Sequence, residues 1–549
     1  MTISITTAWE VRGQTGSDSS GGGFNPNNSN MAVDLAVVSG GNTSSPVVSS
    51  ASFNFTNTSG LLFVKAGTNL TPGWYPIVSV ASNQATLNAA VGAVVLYGAA
   101  TILNTVAGIS STATQAAGGT WSIDYSQQAS AQISYTDMVI GATTTQFTSA
   151  GNPVGKNLVG NIINVTAGTG FTAGRYEIVS TSGTTGTCDR SLGTASSTGG
   201  NASLGGALAT VSGALSGGAI ASNLFWIKAD GTYNITASIA VSLSAGTPTN
   251  TSNRTRIIGY STYRGDNGQV TVKANTNTGI TMINVTGNYA IVQNFILNCN
   301  SLGTSTGISL AGSTGFAFNC AVQNFTTAGI AVSGAACLVK RCSVTGGTSA
   351  ATAGINQTTG QGSIITECTI DSNSCSGIVT VTSSYVQIER CQVTRNTGST
   401  SDGIVAVTGV RVTFCTIANN GRNGINDTGA YNNLDEFWKF NLIANNGAYG
   451  IASTNAYPSL ESYDGNVFFN NNGNRSNVDN VATLFATAYY VKQYDVTVAS
   501  DPFTNSSGGV FTLNATGAAT VVVANPLGGP SIVAGCYGAN ASVIVVEDD

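Results

Sequence analysis

The chain has 549 residues and a formal net charge of −5; 42% of its residues are hydrophobic, 8% are charged and none is histidine. Disordered chains combine low hydrophobicity with high charge, so the composition excludes disorder, and the lack of a basic cluster argues against nucleic-acid binding. Without histidine there is no Ser-His-Asp or Cys-His catalysis and no histidine-ligated zinc. No apolar run is long enough to insert into a membrane, and the 68 glycines with abundant Ser, Thr and Asn favour an all-β protein.

The N-terminal half contains an internal repeat. The opening MTISITTAWEVRG has neither the charged nor the apolar region of a secretory signal. The segment AGTNLTPGWYPIVS, which starts at Ala66, matches AGTGFTAGRYEIVS, which starts at Ala167, an offset of 167 − 66 = 101 residues. We therefore predict two small related β modules, residues 1–120 and 121–215, although residues 129–139 are also a helix candidate.

The second half carries three residue columns that repeat about every 24 residues. The pattern Cys-x-[Val/Ile] recurs at Cys320, Cys342, Cys368, Cys391 and Cys415. The column continues without cysteine at Val270, Phe295 and Asn441. The dipeptide Gly-Ile follows each of these eight positions by 9 or 12 residues, at Gly279, Gly307, Gly329, Gly354, Gly377, Gly403, Gly424 and Gly450. A third column, three residues before the cysteine, holds Val292, Val339, Ile365, Ile388 and Val412.

Three short strands per coil, with like side chains stacked about 4.8 Å apart, predict a parallel β-helix over residues 216–482. The general chirality of parallel crossovers makes it right-handed. The fold class is therefore all-β, with two β modules, a β-helix of three strands per coil and a short β cap over residues 483–549. A cap is expected because an open solenoid exposes unpaired edges.

The ten cysteines are an even number, which allows a disulfide framework. The five cysteines of the column instead occupy one inward position, where a free thiol behaves as a small apolar residue. We expect a structural ladder of buried free thiols, with stacked disulfides as the alternative. The spacing matches no zinc site, so neither a metal nor a cofactor is expected. Free thiols suit assembly in a reducing cytosol.

Two segments before the columns resemble a known family. The stretches LFWIKADGTYNITASIAVSLSAG (224–246) and RTRIIGYSTYRGDNGQVTVKA (254–274) resemble the first coils of pectate-lyase-like right-handed β-helix proteins, a superfamily that includes many phage tailspikes. The opening AWEVRGQTGSDSSGGGFNP resembles the start of β-helix virion proteins. The resemblance implies a homotrimer whose N-terminal region docks on other virion proteins. Residues 500–514 resemble a terminal element of such proteins, with Val510 in place of the usual aspartate.

Charged side chains cluster at two places in the repeats. Arg341, Glu367 and Arg390 precede successive cysteines and are expected to face outward as an ion-pair ladder; substrate-binding arginines are the alternative. The stretch 425–441 interrupts the regular coil, and its carboxylates could flank a sugar as in a glycosidase. Its tryptophan could stack on a sugar or fill the core. The glycan-contact candidates here and one coil later are Asp427, Asp435, Glu436, Trp438, Glu461, Tyr463 and Asp464.

These features favour a structural appendage of a bacteriophage: a tail fibre, a spike or a head-attached fibre that contacts host-surface glycan. The protein is then assembled in the host cytoplasm and, as part of the virion, becomes extracellular after lysis. One alternative is a polysaccharide-degrading tailspike, a hydrolase or lyase that works through carboxylates. A second is a secreted bacterial surface adhesin, which would be encoded away from capsid and tail genes.

Overall fold

The computed structural model describes residues 4, 6–39, 47–67, 70, 72–87, 93–94, 105–106, 118–216, 222–243, 254–262, 264–276, 279–381, 385–407, 409–428, 437–453, 462–476, 496–506, 510–514, 522–523 and 532–533. Over these ranges the protein is all-β, as predicted, with one short α-helix, Val211–Ser216, and one 3-10 helix, Lys156–Leu158. None of the helices described is long and apolar enough to span a membrane. The chain divides into two units, residues 1–233 with 243–271, and residues 234–242 with 272–549.

The first unit contains two closed six-stranded barrels. It begins with β1 (Ala8–Arg12) and β2 (Gly23–Phe24). The first barrel and a hairpin inserted in it comprise β3 (Ala32–Ser39), β4 (Val47–Ser50), β5 (Leu61–Ala66), β6 (Gly73–Ala81), β7 (Gln84–Leu87), β8 (Ala93–Val94), β9 (Thr105–Val106) and β10 (Gly119–Asp124). The second comprises β11 (Ile133–Ile140), β12 (Gln146–Thr148), β13 (Ile162–Phe171), β14 (Gly174–Ser182), β15 (Thr185–Cys188) and β16 (Gly193–Leu204). The strand orders are β10–β3–β4–β7–β6–β5 and β11–β12–β15–β14–β13–β16.

The two barrels are copies of one topology. Strands β3, β5 and β6 begin at residues 32, 61 and 73, and β11, β13 and β14 begin at residues 133, 162 and 174, each 101 residues later. The repeat seen in the sequence therefore marks equivalent strands. Strand β10 crosses residue 120, where the sequence placed the end of the first module.

The helix candidate at residues 129–139 is wrong, because strand β11 occupies most of it. A bulge between Tyr135 and Met138 breaks the alternation of the strand, and both side chains are buried. A bulge of this kind makes inward residues recur at a spacing that resembles a helix turn.

The N-terminal strand of the chain belongs to a parallel sheet in the first unit. Strand β1 pairs in parallel with β17 (Leu224–Lys228), from Ala8 opposite Leu224 to Arg12 opposite Lys228. Strand β17 pairs in the same way with Thr255–Tyr260. The two segments that resemble family motifs at the start of the chain and at 224–246 are therefore direct neighbours.

A buried ionic network fixes β1 in this sheet. Glu10 is fully buried and accepts hydrogen bonds from Arg264 at 2.8 and 3.0 Å, and from the hydroxyl of Tyr260. Arg264 also reaches the buried carboxylate of Asp124, at 3.7 Å. Burial raises the pKa of Tyr260 well above its usual value, and the negative charge of Glu10 raises that pKa further. The aromatic and basic residues of the GY…RGD segment thus hold the start of the chain.

We expect Arg264→Leu to lower the free energy of unfolding by about 3–5 kcal/mol, because it removes one of the two cations paired with buried Glu10 and the cation beside buried Asp124. Denaturant unfolding followed by circular dichroism measures the loss. The matched control is Arg341→Leu, since Arg341 pairs with Glu367 while its side chain is 59% exposed. The control variant should lose less than about 1 kcal/mol of unfolding free energy. Equal losses in the two variants would contradict a special role for the buried network.

The second unit is a parallel solenoid with about seven regular turns over residues 270–469. Its first sheet contains Ala290–Gln293, Phe316–Phe318, Leu338–Lys340, Ile364–Thr366, Gln387–Glu389, Arg411–Thr413, Phe437–Lys439 and Ser462–Asp464. The second contains Tyr233–Ile235, Val270–Ala274, Phe295–Asn298, Ala321–Gln323, Ser343–Thr345, Thr369–Asp371, Gln392–Thr394, Thr416–Ala418, Leu442–Ala444, Val467–Phe469 and Val496–Thr497. The third contains Ile239–Val241, Ile280–Val285, Ser305–Leu310, Ala328–Val332, Ala353–Gln357, Ser376–Thr380, Ile404–Ala406, Ile425–Asp427, Tyr449–Ser453 and Gly473–Ser476.

The three sequence columns are the inward positions of these three sheets. Val322, Val344 and Ile370 pair coil on coil in the second sheet and are fully buried. The isoleucines of the Gly-Ile pairs stack likewise in the third sheet. Glycine precedes them because a side chain would collide with the coil above: a Cβ on Gly377 would lie 2.5 Å from the carbonyl oxygen of Gly403.

The five cysteines of the column are free and buried, as are the other four described cysteines. After Cys415 the same position is filled by Asn441 and Asn466, whose side chains are hydrogen-bonded to each other at 3.0 Å. A second buried ladder runs beside the corner that follows the second sheet. Each side-chain amide nitrogen in it donates to the side-chain oxygen of the next asparagine over 2.8–3.0 Å. The members are Asn373, Asn396, Asn420, Asn446 and Asn471.

The C-terminal part of the unit lies against the outer face of the second sheet. Val496–Thr497 adds a last parallel strand to that sheet. The hairpin of Phe503–Asn505 and Val510–Leu513 follows, and Phe503 packs with Leu442 and Val467. Asn419 and Asn445 donate to Ser506 of this segment. The C-terminal part thus adds a strand at the end of the second sheet and places a hairpin on the side of the coils. A further short hairpin pairs Val522–Val523 with Ile532–Val533.

Candidate functional site

Two of the glycan-contact candidates lie inside the solenoid. Asp427 is fully buried and Trp438 is 1% exposed. Trp438 pairs in register with Val412, so it occupies the inward column of the first sheet. Asp427 is two residues after the inward Ile425 and therefore points to the same side of its strand. Neither side chain can contact a glycan on the outside of the coils.

The other candidates are not gathered into a site by the described residues. Asp435, Glu436 and Glu461 lie outside the described residues. Tyr463 and Asp464 form part of the strand Ser462–Asp464, with backbone positions opposite Trp438 and Lys439. No grouping of three or more acidic or thiol side chains suited to a metal occurs in the described part of the chain.

Charged side chains instead line the outer edge of the first sheet, where it turns into the second. We call this set the basic strip; its members are Lys340, Arg341, Glu367, Glu389, Arg390, Arg411 and Lys439. Lys340, Glu389 and Lys439 belong to one outward column of the first sheet, and Arg411 to the other. All seven side chains are half-buried or exposed. Consecutive coils place such side chains about 4.8 Å apart along the axis.

The corner position of the strip has a specific backbone conformation. Arg341, Glu367 and Arg390 have φ angles of 54°, 55° and 52°, in the left-handed region. A single residue in that region turns the chain sharply between two strands, and its side chain then points away from the coil. In the next two coils Phe414 and Phe440 hold the same corner, with rings stacked at a centroid distance of 5.3 Å.

The described ion pairs in the strip confirm part of the predicted ladder. The Arg341 guanidinium donates to Glu367 at 2.6 Å, and the Lys340 ammonium lies 3.0 Å from the other carboxylate oxygen. Burial alone would raise the pKa of Glu367, but the hydrogen bonds from Arg341 and Lys340 outweigh it and lower that pKa. The strip has five cations and two carboxylates, and in the next coil Asp464 lies opposite Lys439 in backbone register.

Sequence reasoning found the corner residues but missed Lys340, Glu389 and Arg411. Each is one residue away from an inward position of the third column, so strand alternation would have placed it outside. The same rule places Trp438 inside. It lies three residues before Asn441, which continues the cysteine column, and the third column also lies three residues before the cysteines.

A comparison with protein families identifies the solenoid. Residues 278–438 match the family described as "Right handed beta helix region". This part of the chain is a right-handed β-helix. No curated protein matches the chain.

Several solved structures are similar to parts of this chain. Pectate lyase Pel9A has 18% identity and a TM-score of 0.44, over 62% of this chain and 86% of that one. The tailspike gp49 from Acinetobacter baumannii bacteriophage Fri1, a capsular polysaccharide depolymerase, has 13% identity and a TM-score of 0.32, over 46% and 50%. The Dettilon tailspike gp208 has 15% and 0.29, over 51% and 52%. The chain thus spans about half the length of either tailspike.

We expect Trp438→Ala to lower the free energy of unfolding by about 3–5 kcal/mol, because it empties a large volume inside the β-helix. Thermal unfolding measures this. Tyr385→Ala is the control, since Tyr385 is 49% exposed, and it should change stability by no more than about 0.5 kcal/mol. If the Trp438→Ala variant were as stable as the wild type, the interior position of this side chain would be contradicted.

Proposed function

We propose that the chain is a structural, non-enzymatic appendage of a bacteriophage particle, and that its β-helix binds an acidic host-surface polysaccharide. The observation that supports the proposal best is the basic strip, with five cations in a chain that is only 8% charged. The strip follows the coils along the axis, as a linear polymer would. Successive coils are separated by about the strand spacing, 4.8 Å, which is similar to the length of one sugar residue.

Arginine suits this ligand because its planar guanidinium binds a carboxylate through two parallel hydrogen bonds. Each exposed contact is weak, on the order of 0.2–1 kcal/mol. A polymer that contacts several coils at once makes several such contacts, so its affinity depends on the number of coils that it reaches. The stacked rings of Phe414 and Phe440 continue the corner column of Arg341, Glu367 and Arg390 through the two coils that contain Arg411 and Lys439.

The state of Glu367 does not suit this residue to the role of a general acid. A general acid that protonates a glycosidic oxygen needs a raised pKa. Glu367 is paired with two cations, and its pKa is lowered. A carboxylate of this kind stays ionised and serves to space and orient the basic side chains.

The test is binding of the full chain to a panel of acidic capsular polysaccharides, with dextran as the neutral polymer. Arg341→Ala with Arg390→Ala should weaken binding on the order of tenfold or more, and raised salt should weaken the wild type. The matched control is Lys65→Ala with Lys156→Ala, which removes the same charge from the barrels. Equal binding by the two double variants would contradict the proposal. Release of reducing ends or unsaturated sugars would favour the hydrolase or lyase instead.

Assembly is a separate expectation that rests on the resemblance to phage appendages. We expect three copies of the chain to associate, and the N-terminal region to attach them to other virion proteins. Light scattering on the purified full chain should give three times the mass of 55.3 kDa. A stable monomer at micromolar concentration would exclude the trimer but would leave the polysaccharide test unaffected.

A further inference from the structure

A cleft of about 370 Å³ lies between the two barrels of the first unit. One wall is the loop between β4 and β5, which contributes Phe53, and the other is the loop between β12 and β13, which contributes Asn157 and Leu158. These loops are equivalent in the two copies, since 101 residues separate them. The cleft therefore exists because the module is duplicated. Its size is at the lower end of the range for small-molecule sites.

Two polar side chains at the base of the cleft have no protein partner. Asn157 is 8% exposed and Tyr125 is 6% exposed, and neither the Asn157 carboxamide nor the Tyr125 hydroxyl is hydrogen-bonded to any described residue. Burial raises the pKa of Tyr125 to about 12, so its hydroxyl stays protonated and can donate. Both residues line the cleft, so these groups are open to a ligand or to ordered water.

The other surroundings define the chemistry of the ligand. Phe53, Ile133 and Leu158 supply apolar surface, and Gln132 adds a second amide. None of the described residues that line the cleft is charged, so an ion would lose its hydration without gaining a counter-charge. A carboxamide and a phenol beside an aromatic ring match the hydroxyl edge and the apolar C–H face of a sugar ring.

We propose that this cleft binds one neutral sugar residue. Asn157 and Tyr125 hydrogen-bond its hydroxyls, and Phe53 packs against its ring. The site differs from the basic strip in place and in ligand charge, so it gives the chain a second, electrically neutral glycan contact.

The test uses the full chain with the methyl glycosides of glucose, galactose, mannose and N-acetylglucosamine, and with glucuronate as the charged probe. Titration calorimetry and saturation-transfer NMR measure binding. At least one neutral glycoside should bind saturably and independently of salt. Asn157→Ala and Tyr125→Phe should each weaken its binding roughly three- to tenfold, the loss of one hydrogen bond.

The variants separate binding from folding. Because neither side-chain group has a protein hydrogen bond to lose, both should melt at the wild-type temperature. Thr169→Ala, an exposed hydroxyl of β13 outside the cleft, is the matched control and should bind as the wild type does. The proposal is overturned if none of the four glycosides binds, if both variants keep full affinity, or if glucuronate binds equally well. The salt-dependent polysaccharide assay is unaffected by any of these results.

Discussion

The coil-on-coil register is the constraint on which the β-helix depends. Every inward side chain meets its equivalent in the next coil, about one strand spacing away. Aliphatic groups satisfy this by packing, whereas a buried polar group needs a hydrogen-bond partner, which can be its equivalent in the next coil. Asparagine can pair in this way, because its amide both donates and accepts. This explains why the position of Cys415 passes to Asn441 and Asn466 without opening the core.

The same geometry creates the outer surface. Each coil turns at a left-handed residue, and in three successive coils that residue is Arg341, Glu367 or Arg390. A corner side chain is directed away from the coil, so the repeat that builds the interior also lines up charges outside. Regularity and binding surface are consequences of one backbone arrangement. A variant that shifts the register would be expected to disturb both.

Two ion pairs of the chain, one in each unit, differ in burial and therefore in what they add to stability. In the first unit Glu10 and Arg264 are buried and hold the N-terminal strand, where an unpaired charge would be costly. In the second unit Arg341 and Glu367 are at the surface, where the pair adds little to stability. Buried pairs here specify structure, and exposed ones remain available for ligands.

The sequence by itself determined the coil, its inward columns and the duplicated module, because a repeated contact leaves a repeated residue. Strand alternation could also have placed Trp438 and Asp427 inside, but the charged and aromatic composition of that stretch suggested a surface. Only the tertiary structure placed β1 beside β17 and gathered Tyr125 and Asn157 in one cleft. Those contacts join segments that occur once or lie far apart in the chain, so no periodic pattern in the sequence records them.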